Sequence, residues 1–262
     1  MWGWPPTTRF RRMSPVRPTL WLWRAAALVV VLHVLGIAAE RLLDVPRATG
    51  VLRQFDLNAE GNATAWFGSF LLLAAAVVAG AVAVTARSDG SGHARRWTVL
   101  AVLMLVMSVD ETAQLHDLAT GPLRRALDTE LGLFHFAWVL PALLVLLLAG
   151  LYLAPLVRTL ELRERTRLLR AAAVYVTGAV VLEMAGGLVV DVDVDVNGYT
   201  LPYLSIVTLE ETLEMVGAVM LVGALLQVAG RRGTRLVVGL GSDVVTARPA
   251  SDVGPTVPRV VP

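Results

Sequence analysis

Asp110, Glu111, His116, Glu183, Glu210, Glu211 and Glu214 set carboxylate and imidazole donors into surroundings that are otherwise apolar. Carboxylates with an imidazole suit zinc, manganese or iron, whereas oxygen ligands alone suit calcium or magnesium. A divalent metal ion is therefore the cofactor this donor set implies. His135 is a further candidate ligand. The chain has no Cys, so thiolate metal sites, disulfides and thiol redox chemistry are excluded. The spacings match no standard motif: His-Glu-x-x-His is absent, as is the paired Glu-x-x-His of helical di-iron bundles.

The elements that must position these groups belong in lipid. Of 262 residues, 56% are hydrophobic and only 17% charged, and the mean hydropathy is +0.65, too apolar for a soluble domain of this size. A span needs about 20 apolar residues, and windows of that kind fall at Trp21–Ala39, Ala65–Ala86, Trp97–Leu115, Leu133–Leu153, Leu168–Val190 and Tyr203–Val228. The fold class this predicts is an all-α polytopic bundle of six transmembrane helices. Residues 20–229 form the membrane domain, with 1–19 and 230–262 as disordered cytoplasmic tails.

Orientation follows from arginine. All 23 basic residues are Arg, and 18 fall in the tails and alternate connections against 5 in the remaining loops, which puts both termini inside. That placement accounts for the sequence pI near 9.5 without a nucleic-acid partner; the partner is the bilayer. Trp21, Trp23, Trp66 and Trp97 sit at span ends, as interfacial anchors do. A competing reading makes the first span a cleaved signal peptide ending near Gly36-Ile37-Ala38-Ala39, but His33 interrupts its apolar run.

On this topology the ionisable groups share one depth. Asp110 and Glu111 lie near the outward end of the third span, Glu183 below the exit of the fifth, and Glu210, Glu211 and Glu214 just inside the sixth, while the inner halves carry no acidic residue. Charges within spans cost about 2.5 to 3.5 kcal/mol each and mark functional suspects. At about 100° per residue, the three glutamates of the sixth span share a face beside Gly217, and Asp110, Glu111, Gln114 and Asp117 share one on the third. His116 points away from them unless the helix has ended. Ala179, Gly186 and Gly187 flank Glu183, permitting close helix approach. His33 aligns with Glu40 on the first span, where an interhelical hydrogen bond is the expected role for its ring.

In the loop before the sixth span, Asp193, Asp195, Asn197 and Gly198 match the opening half of a calcium loop, but position twelve is Leu204 rather than Glu. Asp56, Asn58, Glu60 and Gly61 repeat a looser version. The stretch Phe55-Asp56-Leu-Asn-Ala-Glu60-Gly61-Asn62 leading into Trp66-Phe67-Gly-Ser69, followed by Ser108-Val-Asp110-Glu111 and Leu115-His116-Asp117, resembles a group of uncharacterised bacterial multipass membrane proteins. The resemblance spans the second to fourth spans, implies no activity, and marks Glu60, Asp110, Glu111 and His116 as a shared exterior cluster. Asp117 stands where that pattern has Glu.

Four functions fit these residues. One is a cation-binding membrane protein with an outward-facing carboxylate and imidazole pocket. Another is a metal-dependent enzyme acting on a lipid-like substrate through metal-bound water; a serine mechanism is disfavoured because Ser108 and Asp110 face different ways. A proton- or ion-coupled transport component would need a polar path through the inner leaflet, which is absent. The last is a non-catalytic subunit whose glutamates are hydrogen-bonded to Thr208, Thr212, Tyr175 and Tyr203.

Overall fold

A computed structural model describes residues 16–47, 49–127, 132–195 and 198–234. The chain is all-helical apart from a two-residue antiparallel pair in which Val194 faces Tyr199. In order come α1 (Val16–Leu43), α2 (Gly50–Gln54), α3 (Ala63–Ser88), α4 (Ala94–Ala113), α5 (Leu115–Leu127), a 3-10 turn (Gly132–Phe134), α6 (Val139–Thr159), α7 (Leu162–Val176), a π-helical segment (Thr177–Leu182), α8 (Glu183–Asp193) and α9 (Leu201–Arg231). Five helices are long and apolar enough to cross a membrane, α7 and α8 counting as one, and α4 with α5 makes a sixth candidate bent by 80°. Both tails, and the side chains of the calcium-like run at 191–198, lie outside the described residues.

Helices occupy the expected windows with shifted ends, the fifth opening at Leu162 rather than Leu168. The fourth helix starts at Val139, not Leu133, because residues 132–138 form the 3-10 turn and a bend. The third ends at Ala113, with Gln114 left-handed at φ 56°. A non-glycine residue there costs roughly 1 to 2 kcal/mol, and it turns the chain sharply into α5.

Helices α3 and α9 form the centre: half of the apolar window of α9 is buried, against 11% for α6. Two cores stack along them. The lower one gathers Val82, Ala86, Trp97, Leu156, Leu168, Leu225 and Val228; the upper one gathers Ala26, Val29, Leu57, Phe67, Leu71, Met215 and Val219. Trp97 is fully buried, with the Arg232 guanidinium 5.7 Å from its ring centre, so it is a core residue rather than an interfacial anchor. Trp21 and Trp66 are exposed, as anchors must be.

Small residues set the α7 to α9 distance. A Cβ on Gly217 would stand 2.6 Å from the Tyr175 backbone nitrogen and 2.7 Å from its Cα. Gly217→Ala should therefore lower stability by about 2 kcal/mol in denaturant unfolding, since overpacking costs about 1 to 3 kcal/mol and exceeds the roughly 1 kcal/mol gained in helix propensity. Gly150 of α6 has nothing within 4 Å of a built Cβ, so Gly150→Ala should be neutral or stabilising.

Candidate functional site

The upper end of the bundle, where residues 44–47, 49–62, 114–127 and 132–138 lie, holds two polar constellations. The first is structural. Leu57 N–H donates to His33 Nδ1 at 3.0 Å, so that nitrogen is unprotonated and Nε2–H donates to Thr208 Oγ1 at 3.0 Å, which in turn donates to the Leu204 carbonyl at 2.6 Å. His33 thus makes the interhelical bond expected of it. Beside it Arg47 Nε stands 3.2 Å from Asp56 Oδ2, both residues being buried. Asn62 caps α3, its side-chain oxygen accepting from Thr64 N and Ala65 N at 3.0 Å each, while its Nδ2 donates to the carbonyls of Asp56 at 2.7 Å and Arg53 at 3.0 Å. The calcium-like stretch at 56–61 is therefore a knitted loop that carries Glu60 to the top of α3.

The second constellation begins at Gln114. Because the helix ends there, His116 folds back on Asp110: its backbone N–H donates to Asp110 Oδ1 at 2.9 Å, and its Nδ1 lies 3.0 Å from Asp110 Oδ2. A proton on Nδ1 makes that second contact a charge-assisted hydrogen bond and leaves the Nε2 lone pair free. Nε2 faces Asp117 Oδ1 at 3.8 Å. Donor atoms of Glu60, His116 and Asp117 all lie within 4.8 Å of one another. Glu60 has its carboxyl pushed above the usual range, first by burial and then by the negative charge of Asp117, with the His116 ring opposing.

Below this triad the remaining acids form a continuous chain. Glu111 interacts electrostatically with His116, Asp110 and Glu60, and a Cβ on Gly68 would strike its Oε1 at 2.6 Å, so α3 makes room for it. Glu214 neighbours Glu111 and Glu183 and is hydrogen-bonded to Tyr175, and Glu211 neighbours Glu214, Glu111 and Glu183. Glu183 and Glu210 lie within hydrogen-bonding reach of each other. Glu183 Oε1 accepts from Trp138 Nε1 at 2.9 Å, and the Trp138 ring lies 4.8 Å from that of His116. The π-helical turn just before Glu183 sets its phase, and π-bulges recur at functional sites; Gly178 within it rests on the Glu210 carbonyl and on Glu214.

All seven acids and imidazoles singled out in the sequence therefore meet at one end, although only His116 of that set belongs to the tight donor triad. Glu60 and Asp117 complete the triad; the resemblance marks Glu60, and the third-span stripe contains Asp117. His135 packs its ring edge-on to Phe136 instead. Of the candidate glutamate partners, Tyr175 takes that role, whereas Thr208 serves His33. Ser108 Oγ donates to the Ser69 carbonyl at 2.9 Å, tying α4 to α3 without an acid or imidazole. A groove of about 530 Å³ between α3 and α4, lined by residues such as Leu73, Gly80 and Leu105, carries no acidic group and lies apart from this chemistry.

No curated protein and no solved structure matches the chain. One family model does, described as a domain of unknown function (DUF8692); it covers residues 21–228, all but the outer ends of α1 and α9, and includes both constellations, and the chain belongs to that family.

Proposed function

We propose that the chain is a six-span membrane protein, both termini cytoplasmic, that binds one divalent transition-metal ion at its outer face through Glu60, His116 and Asp117. The observation that carries this reading is the hydrogen bond from His116 Nδ1 to Asp110, 3.0 Å long. A carboxylate behind one imidazole nitrogen fixes the tautomer and presents the other nitrogen to a metal, and here that other nitrogen faces Asp117 at 3.8 Å, with Glu60 in the same donor group. The bend in α4 and α5 lets the sixth candidate span end at the site, and the 18 to 5 arginine split supports the upper end as the exterior one. One nitrogen and two oxygens suit manganese, iron or zinc. A metal held by these three side chains would supply Lewis acidity there, and Glu111, which interacts with His116 and Glu60, would be the nearby carboxylate able to accept a proton. The deeper glutamates, Glu183, Glu210, Glu211 and Glu214, form an acidic floor beneath it.

Titration of detergent-purified protein with Mn²⁺ tests the reading. Wild type should take up one equivalent and gain thermal stability, because a ligand of the native state stabilises it by mass action; His116→Ala should lose both responses. Equal uptake by the variant, or none by wild type, would refute the site.

A further inference from the structure

The groove of about 530 Å³ between α3 and α4 is made by small side chains along their seam. The helices are joined above it where Ser108 Oγ donates to the Ser69 carbonyl at 2.9 Å, and below it where Trp97 packs in the core with Ala86. Between those contacts Ala76, Gly80, Ala83 and Ala101 line the seam, which leaves it concave. Its rim is Val77, Val84 and Val102, each more than half exposed, so the groove opens away from the bundle and toward lipid. On α3 the lining residues Leu73, Ala76, Gly80, Ala83 and Arg87 fall within an arc of about 80° at about 100° per residue. Arg87 therefore closes the same stripe at its lower end. From Leu73 to Arg87 the axial distance is about 21 Å at about 1.5 Å per residue. Half of a hydrocarbon core about 30 Å thick is about 15 Å, so the groove can hold one leaflet's acyl chain and still reach the head-group level.

The two ends of the groove differ in charge. The upper end, at Leu73 and Leu105, is apolar, whereas Arg87 and Thr98 line the lower one. Arg95, seven residues before Val102, lies on that same face of α4. Both arginines are exposed, and among the described residues the Arg87 guanidinium has no ion pair or hydrogen bond, not even with Asp89. None of the lining residues is acidic. An apolar groove at bilayer depth does not hold water. A second copy packed here about a two-fold axis along the membrane normal would bring the two Arg87 side chains to one depth with no carboxylate between them. We infer that the groove holds one phospholipid of net negative charge, its acyl chain along Ala76, Gly80 and Ala101 and its phosphate at Arg87. Guanidinium and phosphate form strong charge-assisted hydrogen bonds, and a zwitterionic head would also bring its ammonium to two arginines. The proposed orientation places this end at the cytoplasmic leaflet, where anionic lipids gather. The choice of leaflet rests on that orientation; the binding rests neither on it nor on the metal site.

The test uses full-length protein in phosphatidylcholine nanodiscs doped with phosphatidylglycerol that carries a diazirine on its acyl chain, irradiated and mapped by peptide mass spectrometry. Label should fall on residues 73–87 and 98–105. Unlabelled phosphatidylglycerol should compete at a concentration at least about fivefold lower than added phosphatidylcholine of the same chains, the effect of one arginine at an anionic head group, and glycerol phosphate should not compete. Arg87→Gln should reduce that preference about fivefold and Arg87→Lys should keep most of it. Val102→Trp, which fills the groove from its exposed rim, should cut labelling at least roughly tenfold. Val106→Trp, at a residue 56% exposed and outside the groove, should label like wild type and shows that a bulky α4 variant folds. Equal competition by the two lipids, labelling unchanged in Val102→Trp, competition by glycerol phosphate alone, or crosslinks between two copies through the groove in place of lipid labelling would overturn the inference. Nanodiscs present both leaflets alike, so a reversed orientation, or a protein that takes up no Mn²⁺, would remove those readings and leave the lipid result standing.

Discussion

Replacing Asp56 with alanine should destabilise the protein by about 3 to 5 kcal/mol, the cost of stranding one member of a buried ion pair. Arg47 is 6% exposed and Asp56 4%, so neither charge finds water when the other goes. Glu40 offers a second carboxylate 3.6 Å from Arg47 Nε, but its side chain is 33% exposed, and solvent weakens such a pair. The loss of the bond from Asn58 N to Asp56 Oδ1, 3.0 Å long, adds to the effect and loosens the loop that carries Glu60. Removing the cation as well should reverse most of it: Asp56→Ala with Arg47→Met should recover more than half the loss, because apolar replacements of a whole buried pair are often tolerated. Urea unfolding in detergent, followed by tryptophan fluorescence, measures all three proteins. A single-variant loss below about 1 kcal/mol would show that the pair is solvated and that the loop is held by other contacts.

Asp110→Asn should weaken metal binding about 10- to 100-fold, the usual cost of losing a carboxylate behind a ligating imidazole. The amide can turn its NH₂ toward His116 Nδ1, and that would put the ring proton on Nε2, the nitrogen a metal needs. Binding should also depend on pH with a defined sign. The Glu60 carboxyl is raised above its ordinary range, so at pH between the ordinary and the raised value the folded metal-free protein holds a proton there that the unfolded chain has released. That proton stabilises the fold fully below the ordinary glutamate range and is lost as pH rises through the raised value. A cation replaces it, so Mn²⁺ affinity should climb with pH through the raised value and level off above it. Glu60→Gln should bind weakly and lose that part of the slope. A slope unchanged in Glu60→Gln would assign the proton to another group.

That acidic groups lie within long apolar helices was legible in the sequence because hydropathy acts over whole segments. What was not legible depends on single backbone departures. His116 faces Asp110 only because Gln114 adopts φ 56°, a conformation that Gly or Asn would have signalled and Gln does not. The π-helical turn before Glu183 shifts the phase of α8 without any marker in Thr177–Leu182. The start of α6 at Val139 was hidden by the apolar run that precedes it, since hydropathy alone does not separate a 3-10 turn from a helix. Trp97 reads as an anchor by its position beside two arginines; its burial comes from packing among Ala86, Leu156 and Val228, long-range contacts that no local pattern reports. The ring of His33 was assignable by type, but its partners, Leu57 N and Thr208 Oγ1, come from elements far apart in sequence.

Electron spin-echo modulation of the Mn²⁺-loaded protein tests the central claim most directly, because it detects nitrogen bound to the metal and counts it. The account predicts one imidazole nitrogen coupled to Mn²⁺ in wild type, retained in His135→Gln and absent in His116→Gln. Mn²⁺ bound with no nitrogen coupling in wild type, or a coupling that survives His116→Gln, would contradict it.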